Sequence, residues 1–353
     1  MEYKIGSFNL KNLGLSALSD KSSRDLELLS RIIKEERFDV VALQEILSEG
    51  KALGSDRYTE KSLLMHLGSD WDFRWASAES SLNDTRNEGY AFVWNTRRLR
   101  LATTRMQDGS VRTYNPRICE VSNIKLSRKP YYARFTPANT LARGPFVELR
   151  LLCIHAYYGS SNGKEDIMQR QKEMETIFKD IYPEISNRIY QDSMVQYTVV
   201  LGDYNLELKR EDRINKRKIL GIKPAVPFLI TDEYDKDCIN VRKANFSSNI
   251  NKMSVPADHK SAFRILTTQD QLTTLKKIDI DNETDDNVAL ERGYANNFDH
   301  FSYDISDVFK DINVKVERVD AVLKYCDNDF EKYSKTISDH VPISMTIDFR
   351  NGK

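Results

Sequence analysis

The sequence predicts an α/β fold, on three observations. The order strand, helix, strand occurs twice: once across residues 3–46 and again across ELRLLCIHAYYG (148–159), KEDIMQRQKEMETIFKDIY (164–182) and QYTVVLGDYN (196–205). Between these units, GYAFVW and PYYARF look like further strands separated by charged turns. Near the chain's end Val341, Ile343, Met345 and Ile347 alternate with Ser344, Thr346 and Asp348, the period of a strand with one face in the core.

Each element has its own justification. Residues 3–10 form a strand ending at Asn9. In DKSSRDLELLSRIIKEERFD, Ser22 or Ser23 offers an N-cap, and Leu26, Leu29, Ile32 and Ile33 have helical spacing. DVVALQEI is a short, almost continuous apolar run, as in strands covered on both faces. The helix over 164–182 is expected to break or end at Pro183, which cannot donate a backbone hydrogen bond. From Asn205 to Asp299 the pattern fades into KREDRINKRK, KPAVPF, NFSSNINKMS and DIDNETDD. That stretch is taken as an elaborated insertion at about 206–295 within one domain spanning 1–353.

Composition narrows the function classes. Among 353 residues, 40% are hydrophobic, enough for a substantial core, and Lys+Arg balance Asp+Glu at 53 each. No global basic field exists, which argues against a purely electrostatic nucleic-acid binder. Cys119, Cys153, Cys238 and Cys326 are far apart, with no zinc-like spacing. The start MEYKIGSFNL runs straight into a strand, and no apolar run approaches the ~18–20 residues of a membrane span. A cytoplasmic protein without membrane contact is expected.

The strand ends carry the chemistry. Apolar runs stop at Asn9, Glu45, His155, and Asp203 with Asn205, while Asp339 and His340 precede the last strand. Strand ends gather along one rim of a sheet, so side chains remote in sequence can converge there. Carboxylates, amides and imidazoles without cysteine suit Mg²⁺, with Mn²⁺ or Ca²⁺ as alternatives, rather than zinc. Such a set suggests metal-assisted attack on a phosphate ester.

SFNLKN, VVALQEI, NEGYAFVW, LLCIH, VVLGDYN, NNFDHFSY and TISDHVPI, in this order, resemble the endonuclease/exonuclease/phosphatase superfamily, in motif wording most of all deoxyribonuclease I. The matches run from Asn9 to His340, nearly the whole chain. The resemblance implies a four-layered α/β sandwich of two packed, mainly antiparallel sheets with outer helices. It further implies that Glu45 is the main metal carboxylate, helped by Asn9 and Asp339. His155 and His340 would flank the scissile phosphate, and Asp203 and Asn205 would orient or activate the attacking water and hold the phosphate, with Asn9 also on the substrate side. By the same resemblance Asp299 orients a catalytic histidine, Glu88 pairs with His155, and Arg128, or Lys129 or Tyr131 in its place, clamps a phosphate. His300, beside Asp299, is expected on the opposite face of its strand.

Two departures bear on the substrate. Leu47 stands where deoxyribonuclease I has a minor-groove arginine, and LELKREDRI after GDYN differs from the acidic motif of abasic-site endonucleases. The function expected is a divalent-metal-dependent phosphodiesterase, foremost a DNA endonuclease leaving 5′-phosphate and 3′-hydroxyl ends, with DNA as its partner. Its phosphate contacts would come from Arg128, Lys129 and Arg134, and from Lys209, Arg210 and residues 216–218 if the insertion folds over the groove. The rivals are a phosphatase or phosphodiesterase on a small or phosphoinositide phosphate, and a non-catalytic binding scaffold.

Overall fold

The computed structural model describes residues 1–55, 60–78, 88–106, 108–119, 126–139, 147–159, 164–188, 194–206, 229–230, 265–267, 271–276, 293–305, 309 and 312–349. Most of the expected insertion, including Lys209, Arg210 and residues 216–218, lies outside them.

The chain opens with β1 (Glu2–Leu13), α1 (Leu26–Glu35), β2 (Val40–Ile46), α2 (Leu63–Leu67), β3 (Trp71–Ser77) and β4 (Gly89–Asn95). Short strands β5 (Leu99–Leu101), β6 (Thr103–Arg105), β7 (Val111–Thr113) and β8 (Arg117–Ile118) lead to β9 (Tyr131–Pro137) and β10 (Val147–His155). Then come α3 (Lys164–Thr176), α4 (Tyr182–Asn187), β11 (Val195–Asp203), β12 (Leu229–Ile230), β13 (Ile265–Thr267) and β14 (Asp299–Asp304). The last elements are β15 (Asn313–Arg318), α5 (Ala321–Cys326), α6 (Phe330–Thr336) and β16 (Ile343–Asp348).

Two mixed sheets form. One runs β15-β16-β1-β2-β4-β3, the other β12-β13-β14-β11-β10-β9-β5 with β8 against β9. Among the described residues, β1–β2, β10–β11 and β12–β13 pair parallel and the other pairings of these sheets are antiparallel. Their inner faces share one core, in which Ile5, Val40, Phe92 and Trp94 meet Tyr131, Phe135, Leu151, Val199 and Phe301. Outside the first sheet, Leu29, Ile32 and Ile33 of α1 pack with Phe8, Val41 and residues of α5 and α6. Outside the second, Ile167, Met174, Phe178 and Tyr182 pack on Leu152, Ile154 and Val200. The layers are therefore helix, sheet, sheet, helix. Burial on both faces explains the continuous apolar runs of β2, β10 and β11.

Two local expectations are corrected. The N-cap of α1 is Asp25, whose side chain accepts from the Leu28 N–H at 2.7 Å, rather than Ser22 or Ser23. Its carboxylate satisfies an otherwise open first-turn N–H. Pro183 does not end the second helix. A π-helical turn over Ile177–Ile181 intervenes, and the proline then sits in the first turn of α4, where its missing N–H is tolerated.

Candidate active site

The sheet register itself assembles the centre of the site. His155, the last residue of β10, pairs with Asp203, the last of β11, and Asp203 pairs with Asp299, the first of β14. Residues directly opposite across neighbouring strands face the same side. Gly202 permits this close pairing. It has φ +141°, and a Cβ there would lie 2.0 Å from the Ile154 carbonyl oxygen.

Asn9 and Glu45 arrive from the other sheet through paired irregularities. The β1–β2 register shifts between Asn9 and Leu13, and the β2–β4 register between Leu43 and Ile46. At these bulges Lys11 (φ 45°), Asn12 (φ 56°) and Glu45 (φ 58°) take left-handed backbone. Bulges re-aim side chains, and strain of this kind persists where the surroundings hold it. Here the Lys11 N–H donates to Asn9 Oδ1 at 2.9 Å and the Asn12 N–H to Glu45 Oε2 at 3.0 Å. Asn205 is also left-handed, at φ 50°.

The side chains form two linked groups. Glu45, Glu88 and His155 offer ligand atoms within 4.8 Å of one another, and so do Asp203, Asp299 and His340. In the first, His155 Nδ1 lies 3.4 Å from Glu88 Oε2 and its Nε2 3.7 Å from Glu45 Oε1. In the second, His340 Nδ1 meets Asp299 Oδ2 at 2.8 Å and its Nε2 lies 3.7 Å from Asp203 Oδ2. Asp203 joins the groups, its Oδ2 being 3.8 Å from His155 Nε2. Asn9 Nδ2 bridges them as well, donating to Glu45 Oε1 at 2.9 Å and Asp203 Oδ2 at 3.1 Å.

The fields follow from this geometry. Burial pulls the His340 imidazole towards neutrality, but the Asp299 carboxylate, seconded by Asp203 and Asp339, overcomes it and holds His340 up at about 10. The fully buried Asp203 carboxyl is raised, by burial first and then by Asp299, against the pull of His340 and His155. Burial also pushes Glu88 up, yet the hydrogen bond and charge of His155 and the charge of Arg128 outweigh it and bring Glu88 down to about 2.

The remaining expected residues sit around this centre. Arg128 is buried, its Nε donating to Glu88 and its Nη1 to the Ala156 carbonyl at 3.3 Å. Asn205 turns its N–H onto Asp203 Oδ1 at 2.8 Å and its Nδ2 onto the Ala156 carbonyl at 2.9 Å. Asp339 lies at the rim in an ion pair with Lys11 (Nζ to Oδ2, 2.9 Å). His300 is buried away from the centre, its Nε2 near the carbonyl oxygens of Leu206 (3.0 Å) and Asn297 (3.1 Å). Arg134 is not available to a ligand: it is fully buried and bound through Nε to Glu148 Oε1 at 2.8 Å.

Three residues that hold the site escaped the sequence patterns. Arg24 donates to the carbonyls of Leu10, Lys11 and Ile337, tying the β1 bulge to the approach of Asp339. Arg170 binds the carbonyls of Tyr157, Tyr158 and Asn205. Glu173 accepts from the N–H groups of Ser127 (2.8 Å) and Tyr157 (2.9 Å), fixing the segments next to Arg128 and His155. The signal for the last two was present: residues 167, 170, 173, 174 and 177 form one buried helical stripe, and a charged residue on it has to find polar partners inside.

The donor set fits a hard divalent cation, being carboxylates, amide and imidazole with no thiolate in either group.

No family model and no curated protein matches the chain. Solved structures do. A humanized TDP2 of D. rerio is 13% identical, with TM-score 0.50 over 98% of this chain and 99% of its own. ANGEL2, a 2′,3′-cyclic phosphatase solved with adenosine-2′,3′-vanadate, is 13% identical, with TM-score 0.51 over 98% and 95%. An endonuclease/exonuclease/phosphatase from Bacteroides vulgatus is 12% identical, with TM-score 0.50 over 99% of both chains. With its two mixed sheets between helices, this chain has the fold of the endonuclease/exonuclease/phosphatase proteins.

Proposed function

We propose that the protein is a divalent-metal-dependent phosphodiesterase acting on DNA as an endonuclease, leaving 5′-phosphate and 3′-hydroxyl ends. One observation carries the proposal: two imidazole–carboxylate pairs, His340–Asp299 and His155–Glu88, stand on either side of a buried carboxylate, Asp203. The cyclic phosphatase activity named for ANGEL2 is consistent with phosphate-ester chemistry on this fold.

The residues have separable tasks. Asp203, whose proton affinity burial raises, takes a proton from the attacking water, with Asn205 fixing one of its oxygens. His340, held protonated by Asp299, gives positive charge to the phosphate and a proton to the departing oxygen as the phosphorus–oxygen bond breaks. Glu88 fixes the ring of His155, which faces Glu45 and Asp203. Arg128 reaches a phosphate oxygen only by sharing its guanidinium with Glu88. A divalent ion, Mg²⁺ first and Mn²⁺ or Ca²⁺ as alternatives, would be held by Glu45 with Asp339 and would neutralise charge on a nonbridging phosphate oxygen. Asn9, its oxygen engaged by Lys11 N–H and its nitrogen by two carboxylates, positions Glu45 and Asp203. A cytoplasmic setting and a single domain carrying the insertion belong to the same proposal; no helix among the described residues is long and apolar enough to cross a membrane.

A nicking assay on supercoiled plasmid separates the proposal from its rivals. Relaxed circles that disappear with EDTA support a metal-dependent endonuclease. Release of phosphate from small esters with an untouched plasmid would favour the small-phosphate enzyme, and inertness towards both would favour a binding scaffold.

A further inference from the structure

Lys11 is a cation at the mouth of the site with no task so far. Its backbone is pinned: φ is 45°, its N–H donates to Asn9 Oδ1, its carbonyl accepts from Arg24, and the next N–H, of Asn12, donates to Glu45. Its side chain is different. It is 40% exposed and ends 2.9 Å from Asp339 Oδ2, a carboxylate itself 24% exposed. The neighbouring cations are committed elsewhere, Arg128 to buried Glu88 and Arg24 to three backbone carbonyls. Lys11 thus combines a fixed base, a head that reaches solvent, and a partner that an incoming ion would claim.

A divalent ion on Asp339 repels an ammonium held this close, and an ion pair whose lysine end is open to solvent can yield. The long aliphatic stem can then turn without moving the bulge. We propose that Lys11 is a resident counter-cation: it holds Asp339 in place before the metal binds, gives it up when the metal arrives, and then pairs with a phosphate oxygen of the substrate. Metal binding and substrate binding are coupled through one side chain, which acts as a positioning residue for the metal and a specificity residue for anionic substrates. The inference rests on the metal-dependent phosphodiesterase proposed above.

Lys11→Met separates the two tasks because it moves them in opposite directions. Calorimetric titration of the substrate-free protein with Mn²⁺ should show tighter binding by about threefold to fivefold, the competition expected of a partly exposed ion pair. With a small chromogenic phosphodiester at saturating Mn²⁺, KM should rise about tenfold while kcat stays within about twofold, the pattern of lost uniform binding. Lys11→Arg should restore KM, whereas a purely structural role would not be rescued in this way. Unchanged or weaker Mn²⁺ binding by both Lys11→Met and Lys11→Gln, with melting temperatures like wild type, overturns the proposal. If wild type binds Mn²⁺ and Asp339→Asn loses it while Lys11→Met is indifferent, only this proposal fails. A wild type that binds no divalent ion removes the metal-dependent function and the proposal together.

Discussion

His340 and Asp299 are directly paired in the site, 2.8 Å apart and almost excluded from water. Asp299→Asn removes the charge that keeps His340 protonated, so the imidazole should titrate far below about 10. An NMR titration of its ring proton in the metal-free protein checks this; an unmoved midpoint would detach His340 from Asp299. His155→Ala and His340→Ala should each lower kcat by about 10²–10⁴, as loss of general acid–base help does. The double variant should fall short of the product of the singles if both act in one transition state. At this scale the sequence was informative where an apolar run ended on a polar residue, as at Glu45, His155 and Asp203; Asn9, expected at the end of its strand, lies inside β1 where the bulge begins. The sequence was silent on Lys11 and Arg24, because nothing in a lone basic residue says whether it meets solvent, a carboxylate or backbone carbonyls. Nor does glutamate favour left-handed backbone, so the turn that aims Glu45 was not legible.

Among the elements, β10 and β11 show how a single glycine sets the site. Gly202→Ala would drive a Cβ into the Ile154 carbonyl at a φ of +141°. The change should cost about 3 kcal/mol or more, typical of strain at a special backbone position, and should displace Asp203 relative to His155. Urea denaturation together with kcat would register both, and a variant with normal stability and turnover would contradict the close approach. At the opposite end of β10, Glu148 is buried between Arg134 and Arg150. It lies seven residues from His155, about 23 Å along a strand. Glu148→Gln leaves two buried guanidiniums without their anion and should cost about 3–5 kcal/mol, with kcat of the folded fraction near wild type. The paired charges Arg134, Glu148 and Arg150 were visible in the sequence, but exposed strand charges look the same until a covering layer is known. The two strand–helix–strand units were legible because two-sided burial makes apolar runs continuous; the π-turn before Pro183 was not, since it depends on packing rather than local preference.

The whole molecule sets the response to pH and salt. Glu88 is lowered to about 2, and Glu148 and Asp339 are lowered too. A depressed carboxylate stabilises the fold above its ordinary value and loses that contribution as pH falls through its folded value. His340 works the other way: its contribution is complete below 6.5 and fades as pH rises through about 10. Asp203, raised by burial, opposes the other acids and costs stability at neutral pH. Stability of the metal-free protein, followed by urea midpoints, should therefore decline on both sides of the interval from 4.5 to 6.5 that these groups define. With a balanced net charge and Arg134 removed from the surface, few phosphates should be neutralised on duplex DNA. Binding by Asp203→Ala protein should then follow a shallow log–log salt slope, on the order of −2 to −4.

Metal-dependent cleavage of a phosphodiester backbone can be read on supercoiled plasmid by comparing wild type and Glu45→Gln in Mg²⁺ with and without EDTA. Wild type should nick, lose that activity in EDTA and regain it with added Mg²⁺, and Glu45→Gln should be slower by at least about 10²-fold, in the range seen when an electrostatic group acting on the transition state is removed. Nicking that persists in EDTA and in the Glu45→Gln protein would contradict metal-dependent cleavage.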